Sequence, residues 1–163
     1  MNKKKRERYL WDKYFGIENP DNLPIYVKHA NFRTSEIDDE GIQLMVKRIT
    51  GIELLDLDET NITNEAVKLI TKLEGLKELR LKGNHSLDND CVEDLSRITS
   101  LELLHLGGTS VTVDGIEKLA ALKNLKKLLL SADDNENVKD KLFGLAVELP
   151  DCEFIVNYKR IYF

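Results

Sequence analysis

Between Ile52 and Ser131 the apolar positions fall into one line, spelled out three times and begun a fourth. The line is an apolar residue, two variable positions, Leu-x-Leu, two more residues and a small polar residue. It reads Ile52, Leu55, Leu57 and Thr60, then Leu76, Leu79, Leu81 and Asn84. It returns as Leu101, Leu104, Leu106 and Thr109, and starts again as Leu125, Leu128 and Leu130. The starts lie 24, 25 and 24 residues apart. A weaker line precedes these: Val27, Ala30, Phe32, Ser35 and Ile37 stand 25 residues before Ile52, Leu55, Leu57, Thr60 and Ile62. The repeats therefore begin near residue 25.

Each column has a physical task. Leu-x-Leu puts two side chains on the same side of a strand, and the strands are predicted to stack in parallel in one sheet. The column Ser35, Thr60, Asn84 and Thr109 suits a turn, because these side chains bond to neighbouring backbone. His85 adds an extra residue after Asn84, which predicts a local bulge. The apolar column Ile37, Ile62, Leu87 and Val111 leads into Asp38, Thr63, Asp88 and Thr112, which are helix N-capping types. Two places later stand Glu40, Glu65, Asp90 and Asp114, suited to the positive end of a helix dipole. Each of these acids belongs to its own helix start. They are read as structural, since a calcium or magnesium site needs several oxygens converging from close loops. Gly41, Ala66, Cys91 and Gly115 are all small and predict a close approach of helix to sheet. Apolar residues three apart then predict one buried face of a short helix in each repeat: Val67, Ile70 and Leu73; Val92, Leu95 and Ile98; Ile116, Leu119 and Leu122.

A fixed period in the twenties with this pattern resembles a leucine-rich repeat. The capping and small-residue columns are similar to the helix-bearing types, the ribonuclease-inhibitor-like and cysteine-containing repeats. The resemblance covers residues 25–131 and implies an α/β fold: a right-handed solenoid with a parallel concave sheet and outer helices. The chain reads as one domain, 1–163, with an N-terminal cap at 1–24 and a C-terminal closure at 132–163. In the first cap Leu10, Trp11, Tyr14 and Phe15 form a stripe on a short helix ended by Gly16, covering an otherwise wet solenoid end. Residues 2–6 are expected to be frayed and solvated. In the second, residues 133–137 make a polar turn. Val138, Leu142, Leu145, Ala146 and Leu149 then make a helix, Pro150 stops it, and residues 152–156 form a last edge strand. Lys159 and Arg160, among Tyr158, Tyr162 and Phe163, would guard that edge. The layout resembles the mitochondrial coupling factor B (ATP synthase subunit s) family, from which the chain departs in showing no evident transit peptide.

Composition narrows the function. Charged residues make up 33% and the net charge is −5, a mildly acidic balance with no global bias toward nucleic acid or anionic membrane. No apolar run approaches the ~20 residues that span a bilayer. Cys91 and Cys152 do not make a disulfide framework, so the expectation is a reduced, cytoplasmic protein. There is no phosphate loop, nucleophile elbow or metal-ligand spacing, and neither enzyme activity nor a cofactor nor a metal is expected. A monomer is expected.

The resemblance implies recognition on the concave face. Three columns are placed there: His29, Leu54, Glu78, Leu103 and Lys127; Asn31, Asp56, Arg80, His105 and Leu129; Arg33, Asp58, Lys82, Gly107 and Ser131. Acids of one repeat (Asp56, Asp58) adjoin cations of the next (Arg80, Lys82), and Leu54, Leu103 and Leu129 face water. Exposed apolar groups beside charges suit a protein interface. The competing structural role is cross-strand pairing of Asp56 with Arg80 and Asp58 with Lys82. The expected function is a non-catalytic protein-binding module (adaptor, assembly factor or immunity-type inhibitor) for an unidentified protein partner. One alternative is nucleic-acid or anionic-surface binding through Lys3 to Arg6 and the helix beside them. Another is an enzyme centred on His105 with Asp56, which would draw its residues from non-adjacent strands.

Overall fold

The computed structural model describes residues 2–133 and 137–163. Asp134, Asn135 and Glu136, assigned by sequence to the polar turn, lie outside the described residues, as does the side chain of Lys3. The Leu-x-Leu segments form strands: β1 (Tyr26–Asn31), β2 (Gly51–Asp56), β3 (Glu78–Arg80), β4 (Leu103–His105) and β5 (Lys127–Leu130). β6 (Glu153–Val156) and β7 (Lys159–Ile161) follow. These seven make one sheet in sequence order. β1 to β6 are parallel, and β7 returns antiparallel to β6. The weaker first line pairs as its frame predicts, with Val27 beside Ile52 and Ala30 beside Leu55.

Five α-helices accompany the sheet among the described residues: α1 (Lys3–Phe15), α2 (Asp39–Met45), α3 (Asn64–Ile70), α4 (Val92–Ser96) and α5 (Val138–Glu148). The fold is therefore α/β with a mostly parallel sheet. Strand leucines such as Leu55, Leu79 and Leu104 and helix residues such as Val67, Ile70 and Leu95 share one core, each fully buried. No helix among the described residues is long and apolar enough to cross a membrane.

Helix starts follow the capping column for three repeats and then depart from it. Asp38 and Thr63 cap α2 and α3 by accepting from the amides of Gly41 and Glu65, and Asp88 accepts from the Asp90 amide to cap a 3₁₀ turn, Asn89–Cys91, that leads into α4. Thr112 caps nothing, and its segment forms a 3₁₀ turn, Glu117–Ala121, instead of an α-helix. Ile116, Leu119 and Leu122 recur every third residue, which is the 3₁₀ period. All three are buried. Thr112 is engaged from behind: its amide donates to Asn89 Oδ1 at 2.9 Å, and Asn89 Nδ2 donates to its hydroxyl. Asp39 holds the Thr63 amide and hydroxyl in the same way, and Asn64 holds the Asp88 amide and carboxylate. An Asx side chain in one helix start thus anchors the cap residue of the next repeat, until Val113 ends the ladder.

The two glycines of the small column also do something other than expected. A Cβ on Gly41 would meet Ile37 at 2.7 Å and the Tyr14 ring at 3.2 Å, and one on Gly115 would strike the Asn89 side chain at 2.2 Å. These positions make room for the neighbouring turn and for α1 rather than for the sheet. α1 begins earlier than expected. Asn2 caps it by accepting from the Lys5 amide, and the lysines and arginine that follow are good helix formers, so residues 3–6 are helical rather than frayed. Trp11 is buried, Phe15 meets Phe32 edge to face, and the Tyr14 hydroxyl donates to Asp38.

The turn after each of β1 to β4 places one residue in the left-handed region: Thr34 (φ 57), Glu59 (φ 56), Gly83 (φ 75) and Gly108 (φ 68). A β-branched residue is strained there, at about 1–2 kcal/mol, against about 0.5–1 kcal/mol for the entropy of glycine. Thr34→Gly is therefore expected to stabilise the protein by roughly 0.5–1 kcal/mol in urea unfolding. Gly108→Ala is expected to destabilise it.

Candidate functional site

Side chains alternate across a strand, so burying one set leaves the other on the opposite, open face. The pairing shows two of the three predicted columns, and the third, Arg33, Asp58, Lys82, Gly107 and Ser131, lies in the turns beyond the paired residues. His29, Leu54, Glu78, Leu103 and Lys127 are successive neighbours, and so are Asn31, Asp56, Arg80, His105 and Leu129. Leu54, Leu103 and Leu129 are partly exposed. The N-terminal helix lies elsewhere, and the last residue of the chain turns toward the core. α1 packs on α2 with Arg6 paired to Glu40, and Phe163 meets, edge to face, Phe154, whose ring belongs to the core. A trough of about 550 Å³ crosses the N-terminal ends of six strands, from His29 on β1 to Glu153 on β6. Leu54 and Leu103 line it, and along it run the alternating charges Glu53, Lys77, Glu102 and Lys126.

Two predicted contact residues prove to be structural. Asp56 is 7% exposed and Asp58 1%. Neither forms the expected pair with the following strand. Arg33 reaches across from the end of β1 instead, with its Nε 3.4 Å from Asp56 and a terminal nitrogen 2.6 Å from Asp58. Backbone supplies one further donor to each: the Asp58 amide donates to Asp56, and the Lys82 amide donates to Asp58 at 2.8 Å. A two-residue Asx turn and a cross-strand amide thus draw both carboxylates under the Arg33 guanidinium. Arg80 pairs with Glu78 on its own strand at 2.5 Å, and Lys82 with Glu59 at 3.8 Å. Burial pushes the Asp58 carboxyl above 3.8, and Asp56 adds to the rise. The Lys82 amide, His105 and Arg33 oppose it.

His105 is partly buried beside Arg80. Burial lowers its pKa below 6.5. Arg80, Lys82 and Arg33 push the same way, and Asp58 opposes them. Its expected acid partner, Asp56, is two strands away and already held by Arg33. The acid that acts on His105 is Asp58, itself committed to two donors. The thiols are poor nucleophiles, because burial pushes both Cys91 and Cys152 up to about 12. Lys4, Lys5, Arg6, Arg8 and Lys13 of α1 are exposed, and Arg6 is engaged by Glu40.

The open face also extends further than the sequence indicated. β6 is not the edge: the chain turns at Asn157 and Tyr158, both at positive φ, and β7 returns beside it. This matches a two-residue hairpin turn. Glu153 neighbours Lys127, Ile155 neighbours Leu129, and Arg160 neighbours Ile155. The step from Lys127 to Glu153 is 26 residues, so the repeat frame misses it. The alternation of Phe154 and Val156 inward against Glu153 and Ile155 is the signal that could have found it. No protein-family model matches the chain, and no curated protein matches it in sequence.

Proposed function

We propose that the chain is a leucine-rich-repeat solenoid that binds a protein partner on its concave sheet face and catalyses no reaction. The observation that carries this reading is the uncovered trough, in which partly exposed leucines sit among charged residues. That mixture of apolar centre and charged surround is what protein interfaces use. The binding set is Asn31, Arg33, Leu54, Glu78, Arg80, Lys82, Leu103, His105, Lys127 and Leu129, with Ile155 added from β6. Asp56 and Asp58 act beneath it by holding Arg33 in place. The engaged state of Asp58 and the raised thiols support a non-catalytic role. The free thiols of Cys91 and Cys152 suit a reducing compartment such as the cytoplasm. An adaptor, an assembly factor and an immunity-type inhibitor all use a face of this kind.

The test compares immobilised parent chain with Leu103→Asp and Arg80→Glu. Both side chains are partly exposed, so unchanged thermal melting is expected from each. A protein from the native cell should be retained by the parent and lost, by tenfold or more, from both variants. Equal retention by both variants removes the concave face as the docking surface.

A further inference from the structure

The row Leu54, Glu78, Leu103, Lys127 and Glu153 is set by strand register, one residue on each of five adjacent strands. Neighbouring strands are about 4.8 Å apart, which puts Leu54 and Leu103 about 9.6 Å apart across the trough. An extended strand laid along the row repeats a side chain toward it every ~6.7 Å and cannot match that interval. An α-helix does: residues i and i+7 lie about 10.5 Å apart along its axis on nearly one face. Polyproline II helices return a side chain every ~9.3 Å, but their intervening residues point away, leaving Glu78 with nothing opposite it. In an α-helix residues i+3 and i+4 share the face of i and i+7 and fall midway, over Glu78. The strands are also short. β3 and β4 have three residues each, about 10 Å of face, which is the diameter of one helix.

Resting on the protein-binding reading above, we infer that the trough takes a single amphipathic α-helix of the partner, lying across the strands. Its chemistry is dictated by the row. An aliphatic residue at i meets Leu54, and a lysine or arginine at i+3 or i+4 meets Glu78. An aliphatic residue at i+7 meets Leu103, an acid at i+10 or i+11 meets Lys127, and a second cation near i+14 meets Glu153. The row's charged side chains stay reachable within their own pairs: Glu78 is 24% exposed, Lys127 40% and Glu153 26%. Docked cations would share Glu78 with Arg80, and Glu153 with Lys127 and Arg160.

The test uses two synthetic 21-residue peptides, each held helical by a hydrocarbon staple on its outward face. One carries the pattern above; in the other the acid and the cations exchange places. Fluorescence anisotropy against the full chain should show the matched helix binding at least tenfold more tightly. Glu78→Lys should reverse the preference at that position, Glu78→Gln should reduce it, and Leu103→Asp should weaken both peptides. All three variants are first shown to melt like the parent. Equal binding of the two peptides, or no binding of either, overturns the helix. If the native partner is still captured in a Leu103-dependent way, the docking face stands and the helical occupant alone fails.

Discussion

Asn84→Ala is expected to lower the unfolding free energy by about 3 kcal/mol, since each buried polar group left unpaired costs roughly 1–3 kcal/mol. Asn84 is 2% exposed. Its Nδ2 donates to the carbonyls of Leu57 at 2.8 Å and Leu81 at 2.9 Å. Its Oδ1 accepts from the Thr60 amide and the Thr60 hydroxyl. One side chain thus joins two repeats, and alanine strands groups in both. Thr109 donates to the carbonyl three residues earlier, Leu106, as Asn84 does to Leu81, and the single Thr60 hydroxyl proton is shared between Asn84 Oδ1 and the Leu57 carbonyl. Asn84→Thr keeps that local bond and loses those to Leu57 and Thr60, so about half the deficit is expected to return. Urea unfolding of the three proteins checks this. A deficit below ~1 kcal/mol for alanine would mean that water replaces the ladder.

The second large effect belongs to the buried carboxylate under Arg33. Asp58→Ala removes the acceptor of the Lys82 amide and of the Arg33 guanidinium, and a loss of about 2–4 kcal/mol is expected. Arg33→Ala leaves Asp58 buried without its cation. Arg33 has a side chain 46% exposed, so solvent screens the pair and the expected loss is smaller, about 1–2 kcal/mol at pH 7. Its dependence on pH identifies the cause. The folded pKa of Asp58 lies above 3.8, chiefly through burial. Its contribution to stability is therefore fullest below 3.8 and falls as pH rises through the raised folded value. Removing Arg33 takes away one of the groups that hold that value down, so it climbs further. The deficit of Arg33→Ala against the parent should be small near pH 4 and larger at pH 7. Subtracting the parent cancels the opposite trend from Asp38. There burial raises the carboxyl, but the Gly41 amide and the Tyr14 hydroxyl outweigh it and bring the pKa below 3.8. A deficit constant with pH would show that Arg33 acts through packing instead of charge.

Particular residues show where local reasoning held and where it lost the chain. The aromatic stripe of α1 was legible because Trp11, Tyr14 and Phe15 repeat at helical spacing. The fourth capping position was misread, because Thr112 has the right chemistry for a cap but its repeat folds as 3₁₀ and Asn89 claims the hydroxyl. The fates of Asp56 and Asp58 were also out of reach. Whether an acid on a sheet face pairs with the strand after it or the strand before it depends on which cation is long enough to span the turn. Arg33, at the end of β1, is that cation.

From sequence alone, the period of 24 to 25 residues determined the strands, their parallel order and the register that aligns Leu54 with Glu78, Leu103 and Lys127. It could do so because side-chain alternation and a buried leucine ladder permit only one phase; a one-residue slip would turn every leucine outward. Tertiary structure alone decided which open-face charges are available and how far the face runs. Burial and ion pairing depend on neighbours 24 to 26 residues away whose side-chain reach no local pattern encodes. The same holds for the hairpin of β6 and β7, which extends the face past the last recognisable repeat and brings Ile155 into line with Leu129.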